Sequence, residues 1–187
     1  MAYRNANYSA FYVDDPTSDS NLGVNATRDF CYYSTLKMWK GKDIDFPFID
    51  AHDKTYKVRD DSDWESTLKP KLRERLRNSK NIVLFLSSIT GKSRALREEI
   101  DYGINILGLP VIAIYPEYDS MESLLTNGDL KRSVKNLWDK LPVFRDLMEV
   151  VPTIHMPMKK ELIKSALQND GFMVRSKKEA GIYWFNL

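Results

Sequence analysis

Short apolar segments alternate with longer amphipathic ones along the chain. The short segments begin near residues 7, 45, 81, 110 and 151 and end at polar or turn residues. Short apolar runs of this kind predict strands, and continuously apolar ones predict strands buried on both faces of a sheet. The longer segments repeat apolar residues at three- and four-residue spacing, which predicts amphipathic helices. Strands that alternate with helices predict an α/β fold with a parallel sheet.

The segment 80–116 carries the strongest pattern. Five consecutive apolar residues, 82–86, precede Ser87, and a second apolar strand follows at 110–116. A helix is expected between them from about Ser93 to Leu107, and Gly108 ends it. This order predicts a βαβ unit whose two strands are parallel neighbours.

We therefore predict a doubly wound, flavodoxin-like sheet of five parallel strands in the order 2-1-3-4-5. The whole chain, 1–187, is expected to form a single domain with its core at about 5–170. The tail 171–187 contains the apolar run 181–185 and is expected to dock on that core. Ligands of such sheets bind where the strand order reverses, here between the first and third strands. The candidate residues from those strands and their ends are Ser9, Phe11, Asp14 and Asp15 from the first and Ser87 and Ser88 from the third.

Two adjacent glutamates occupy different sides of the central helix. Its apolar stripe contains Ile100, Gly103 and Ile104, so Glu98 is predicted to point into water. Glu99 lies on the shoulder of the stripe, roughly 85° from its centre. A carboxylate there is half-buried beside the strand ends, where desolvation changes its pKa. The alternative is that both glutamates are simply charges near a helix N-terminus.

The amino-acid composition indicates which classes of partner and which cellular compartment to expect. The 187 residues are 43% hydrophobic and 29% charged with a net charge of +2, which favours neither nucleic acid nor an anionic membrane as partner. No apolar run reaches the roughly 20 residues that span a bilayer. A single cysteine, Cys31, fits a reducing cytoplasm, and two histidines leave no cluster for a metal site. We predict a cytoplasmic protein without a metal.

Several functions of this fold are excluded by missing motifs. The first strand is followed by Asp14, Asp15 and Pro16 rather than a Gly-x-Gly-x-x-Gly loop, and the chain contains no P-loop sequence. A response-regulator receiver would need an aspartate at the end of the third strand, where Ser87 stands. The site must therefore be identified from other residues.

Several segments together resemble a TIR domain. They are the strand at 8–12, the strand at 82–88 and the helix segment Ser93-Arg94-Ala95-Leu96-Arg97-Glu98-Glu99-Ile100. With 45–56 and 72–81, the chain is similar to the TIR-like family that includes the Thoeris antiphage sensor subunit. The resemblance covers about residues 5–116 and implies a TIR-like signalling domain. Ala95 departs from the pattern, since many TIR domains carry Trp four residues before the glutamate.

The resemblance implies an activity and a site. Enzymatic members cleave the nicotinamide–ribose bond of NAD with a glutamate whose place here is Glu99. The product is ADP-ribose or a cyclic isomer, as made by NAD⁺ nucleosidases and ADP-ribosyl cyclases. Ser9, Phe11 and Tyr12 match positions that line the site in the family. NAD is then a substrate, no cofactor is needed, and the expected partners are an effector protein and other copies of the chain. The alternative is a non-enzymatic TIR-like scaffold for protein–protein interaction.

Overall fold

The computed structural model describes residues 5–11, 26–51, 63–88, 90 and 94–185, with the backbone alone at 11, 26–31, 68 and 94–96. The strands are β1 (Tyr8–Phe11), β2 (Ser79–Phe85), β3 (Val111–Tyr115), β4 (Leu125–Thr126), β5 (Asp129–Leu130), β6 (Pro152–Pro157) and β7 (Gly181–Trp184). The α-helices are α1 (Ala26–Lys42), α2 (Lys69–Arg77), α3 (Arg94–Asp101), α4 (Met121–Leu124), α5 (Arg132–Trp138), α6 (Pro142–Leu147) and α7 (Lys160–Gln168). Wide π-helical turns occupy Trp64–Leu68 and Tyr102–Ile106, and a 3-10 turn occupies Asp170–Phe172.

Within the described residues, five strands form one parallel sheet in the order β1-β2-β3-β6-β7. Helices cover both of its faces. Ile82 of β2 lies against Gly103, in the π-helical turn that continues α3, while the Phe85 ring lies 5.6 Å from the Tyr32 ring of α1. These two residues are three positions apart and so face opposite sides of the strand. The predicted α/β class with a parallel, helix-covered sheet is confirmed.

The predicted strand order needs correction at both edges. The expected edge strand at 46–50 lies beside β1 but makes only an isolated parallel bridge between Asp50 and Ser9. Ser9 N–H donates to the Ile49 carbonyl at 2.8 Å, whereas Pro47 has no N–H with which to extend a ladder. At the other edge, β7 pairs with β6 and adds a strand that the order 2-1-3-4-5 did not include.

The start of the helix before β2 follows its sequence closely. Asp63 caps it by accepting from Ser66 N–H at 2.7 Å. Pro70 has no N–H, and the turn before it is wide rather than α-helical. After this turn α2 runs regularly to Arg77, with Leu76 buried against the sheet.

Helix α3 approaches β2 very closely. A Cβ added at Gly103 would lie 2.6 Å from Ile82 Cδ1, so glycine permits the contact. Gly108 has φ +61°, the left-handed conformation that commonly ends a helix. Ile100, Ile104 and Leu107 are buried, as the predicted stripe requires. No helix among the described residues has the length and hydropathy needed to cross a membrane.

The C-terminal region is bonded to the beginning of β2. Lys80 Nζ donates to the Leu167 carbonyl at 3.2 Å, and Asn81 Nδ2 donates to the Phe172 carbonyl at 3.0 Å. Val174 N–H donates to the Lys80 carbonyl at 2.8 Å. The chain after α7 thus passes β2 before it joins the sheet as β7.

His155 is fully buried in β6 and belongs to a short hydrogen-bonded chain. Trp138 Nε1 donates to Tyr115 Oη at 2.7 Å, and the same hydroxyl is hydrogen-bonded to His155 Nδ1 at 2.7 Å. The other ring nitrogen, Nε2, has no partner among the described residues. Burial lowers the pKa of His155 from 6.5 to about 3, so the ring is neutral in the folded protein.

The pH dependence of stability should report this burial. Between pH 6.5 and about 3, the unfolded chain binds a proton at His155 that the folded protein does not. The contribution of buried, neutral His155 to the free energy of unfolding is therefore complete above pH 6.5. It is lost as the pH falls, by up to about 1.4 kcal/mol per pH unit. Urea unfolding of the wild type and of His155→Gln from pH 7 to 4 should show a smaller loss for the variant. Equal slopes would contradict the prediction.

Candidate functional site

Glu99 lies in the second turn of α3, which begins after the carboxyl end of β2. Its residue is only 4% exposed, so it is more buried than the half-buried position that the helical count predicted. Helix α2 packs beside α3 and covers this side of it. Glu99 is therefore a carboxylate enclosed between two helices.

Arg75 of α2 is the ion-pair partner of Glu99. Arg75 Nη2 donates to Glu99 Oε1, and both side chains are almost fully buried. Burial raises the pKa of Glu99 above its ordinary value, and the positive charge and hydrogen bond of Arg75 act in the opposite direction without cancelling the rise. The carboxylate is thus poorly solvated but held beside a fixed positive charge.

The second carboxylate oxygen of Glu99 differs from the first in having no hydrogen-bond donor among the described residues. Oε2 is buried and accepts no hydrogen bond from any residue that the structure describes. An unsatisfied buried carboxylate oxygen is costly, so such an atom is a marker of strain or of function. It is the strongest sign of chemistry at this position.

Glu98 has a different environment from the one predicted. Arg73 Nε and Nη2 donate to Glu98 Oε1 at 2.8 and 2.6 Å, and Lys69 Nζ lies 4.0 Å from Oε2. The side chain is 20% exposed, so the expectation that Glu98 points freely into water is wrong. The helical period correctly places Glu98 on the side of α3 that faces away from the sheet. It gives no information about α2, whose Arg73 and Lys69 lie there.

Tyr102 completes the contact between the two helices. The Arg73 and Arg77 guanidinium groups lie 4.5 and 5.6 Å from the centre of its ring, and Arg77 Nε donates to its hydroxyl at 2.9 Å. The role of Tyr102 and of the α2 arginines was not predicted from the sequence. The available signal was the four-residue spacing of Arg73 and Arg77, which places them on one side of a helix.

Ser9 lies on the other face of the sheet from Glu99. In β1, Ser9 is aligned with Asn81, and Ala10 is aligned with Ile82, which faces α3. Because neighbouring residues of a strand point to opposite faces, Ser9 points away from α3. Ser9 is fully buried, and its Oγ has no partner among the described residues. The structure does not bring Ser9 and Glu99 together, and a substrate-binding role for Ser9 stays a prediction.

The remaining predicted residues are distributed along the strand ends. Phe11 is the last residue of β1, where only its backbone is described, and Tyr12 and Asp14 lie outside the described residues. Ser87 follows β2 and is buried; its N–H donates to Thr90 Oγ1 at 2.8 Å. Ser9 is aligned with Asn81 of β2, which lies six positions before Ser87. Ser9 and Ser87 are therefore separated by roughly 20 Å along the strand direction.

Asp50 is a second buried carboxylate that sequence analysis did not select. The Tyr33 hydroxyl of α1 donates to Asp50 Oδ2, and Asp50 forms the bridge to Ser9. A polar residue at the end of a short edge segment gives no sequence signal of burial. Elsewhere in the described ranges, no three His, Cys, Asp or Glu side chains are grouped so that they could hold a metal ion.

The parallel sheet, its helices and the buried glutamate after β2 define a TIR-like α/β domain. The family described as Thoeris protein ThsB, TIR-like domain, matches residues 8–121. That match covers more than half of the chain, and the chain belongs to this family. Membership supports a role in TIR-like antiphage signalling.

The raised pKa of Glu99 leads to a prediction about stability. Because the pKa of Glu99 is raised in the folded protein, its carboxyl contributes to the free energy of unfolding. This contribution is complete below the ordinary pKa of 4.5 and is lost as the pH rises through the folded-state pKa. The unfolding free energy of wild type minus that of Glu99→Gln should therefore decrease as the pH rises from 4.5. Denaturant unfolding across this range measures it, and Glu98→Gln corrects for the lost charge. A difference that grows with pH would contradict the assignment.

Proposed function

We propose that the protein cleaves NAD to nicotinamide and ADP-ribose, linear or cyclic, and that Glu99 is the catalytic carboxylate. The observation that carries the proposal is the environment of Glu99. One carboxylate oxygen is paired with Arg75, and the other is buried with no partner among the residues that the structure describes. Family membership and the position of α3 after β2 support it.

The chemistry uses the negative charge of Glu99. When the C1′–N1 bond breaks, its electron pair stays on the pyridinium nitrogen, and neutral nicotinamide leaves. Positive charge then develops at C1′ and the ring oxygen of the ribose. A carboxylate in a poorly solvated site stabilises such charge far better than one in water. Water adds at C1′ to give linear ADP-ribose, or a nucleophilic group of the same ADP-ribose adds there and closes the cyclic product. In each case the attacking group releases a proton.

The other proposed contacts with NAD are made by the strand ends. Ser87, at the carboxyl end of β2, is the nearest of them along the chain to α3. Phe11, Tyr12 and Asp14 belong to the end of β1 and the loop after it, and aromatic rings there would stack on nicotinamide or adenine. We propose that the product acts on an effector protein and that assembly of several copies regulates the reaction.

A scaffold without enzymatic activity is the second candidate function. The buried Arg75–Glu99 pair favours it, because a pair between α2 and α3 also fixes the orientation of two helices. Under this hypothesis Glu99 is a structural residue, and its loss lowers stability without removing any NAD turnover.

Two matched variants test the proposal. Glu99→Gln should lower NAD turnover on the order of a hundredfold, about 3 kcal/mol, because it removes the charge that stabilises the ribose cation. Glu98→Gln removes the same charge one residue earlier, where the carboxylate is partly solvated, and should leave turnover within a few-fold. Chromatography of nicotinamide and ADP-ribose products measures both.

Thermal melts of each variant separate lost chemistry from unfolding. Equal losses in the two variants, or a greater loss in Glu98→Gln, would contradict the assignment of Glu99. A folded wild type that leaves NAD intact, both alone and after assembly, would favour the scaffold.

A further inference from the structure

We propose that Arg75 is a positioning residue for Glu99: its guanidinium fixes Oε1 and supplies the counter-charge that lets the carboxylate stay ionised, while Oε2 faces the substrate. This inference rests on the proposed function and adds to it a residue outside the loops that follow the strands. Arg75 is in the last turn of α2, before β2 begins, whereas the residues selected from the sequence lie in or after the strands.

Two ion pairs between α2 and α3 have the same chemistry but different solvation. The side chains of Arg75 and Glu99 are 10% and 5% exposed, whereas those of Arg73 and Glu98 are 37% and 20% exposed. We call Arg73–Glu98 the outer pair and Arg75–Glu99 the inner pair. At the outer pair water replaces a lost partner, and the net interaction free energy is small. At the inner pair, losing the guanidinium leaves a carboxylate with little solvent and no counter-charge. The outer pair is therefore a built-in control for the inner one.

The direction of each influence on Glu99 is consistent with this role. Burial raises the pKa of the Glu99 carboxyl, and the charge and hydrogen bond of Arg75 lower it. Removing Arg75 leaves the effect of burial unopposed, so the carboxyl would hold its proton at a higher pH. A protonated carboxyl is neutral and does not stabilise a ribose cation.

Several side chains of the α2–α3 contact already have partners other than Glu99. They are Lys69, Arg73 and Arg77 of α2 and Glu98 and Tyr102 on the α3 side, which contact one another. Arg97 of α3 is exposed. Helix α6 packs against α3 and contributes Arg145 and Asp146, which are exposed and paired. In β2, Lys80 donates to the Leu167 carbonyl. The side chain that is ion-paired with Glu99 is Arg75, and its charge and hydrogen bond lower the pKa of the Glu99 carboxyl against the effect of burial.

The test compares Arg75→Gln with Arg73→Gln. In protein carrying ¹³C-labelled glutamate, NMR titration follows the Glu99 carboxyl, assigned by the signal that is lost in Glu99→Gln. Its midpoint should move to higher pH in Arg75→Gln, stay near the wild-type midpoint in Arg73→Gln and partly recover in Arg75→Lys. The acid limb of NAD turnover should shift with it, and turnover at neutral pH should fall roughly a hundredfold in Arg75→Gln.

The outcomes separate the two proposals. A midpoint that moves equally in Arg75→Gln and Arg73→Gln, or an Arg75→Gln enzyme as active as wild type or more so, overturns the role of Arg75 and leaves the proposed function intact. Wild type without NAD turnover overturns the proposed function, and the titration still decides whether Arg75 holds Glu99 ionised. Far-UV circular dichroism establishes that each variant is folded, and Arg75→Lys provides the comparison if Arg75→Gln is not.

Discussion

The contact between α2 and α3 determines the properties of the proposed catalytic group. Three arginines of α2, at positions 73, 75 and 77, contact Glu98, Glu99 and Tyr102 of the neighbouring helix. Two positions along a helix differ by about 200°, so Arg73 and Arg75 leave α2 on different sides. One becomes the partly solvated partner of Glu98, and the other becomes the buried partner of Glu99. Adjacent glutamates thereby acquire different electrostatic environments from one helix pair.

A buried ion pair is a poor way to gain stability. Two charges lose much of their hydration, and their attraction repays the loss only when hydrogen bonding is nearly complete. At Glu99 it is incomplete, because Oε2 has no partner among the described residues. Apolar residues at both positions would give a simpler helix contact. The presence of the pair is easier to understand if the fold tolerates its cost to keep a reactive carboxylate in a poorly solvated place.

The sequence predicted features that depend on local pattern and missed those that depend on neighbouring elements. The apolar runs located β2 and β3, and the helical period identified the buried stripe that includes Ile100 and Ile104. The same period gave no information about α2, so the partners of Glu98 and Glu99 were not foreseen. The 46–50 segment had the apolar character of a strand, but Pro47 removes one backbone donor and only an isolated bridge forms with β1. β7 was expected only as a docked tail, since no local signal states which edge a strand will join.

The C-terminal region has a consequence for how relatives of this protein can be recombined. The family match ends at residue 121, yet the far edge of β3 is paired with β6, and the start of β2 is bonded to residues 167–174. The segment that matches the family thus leaves out β6 and β7, two of the five strands of the sheet. A chimaera that exchanged 8–121 alone would carry over Arg75 and Glu99 but would pair β2 and β3 with a C-terminal region from another protein. Residues 122–185 contain the strand and the backbone groups that contact β2 and β3, so they should be exchanged together with 8–121.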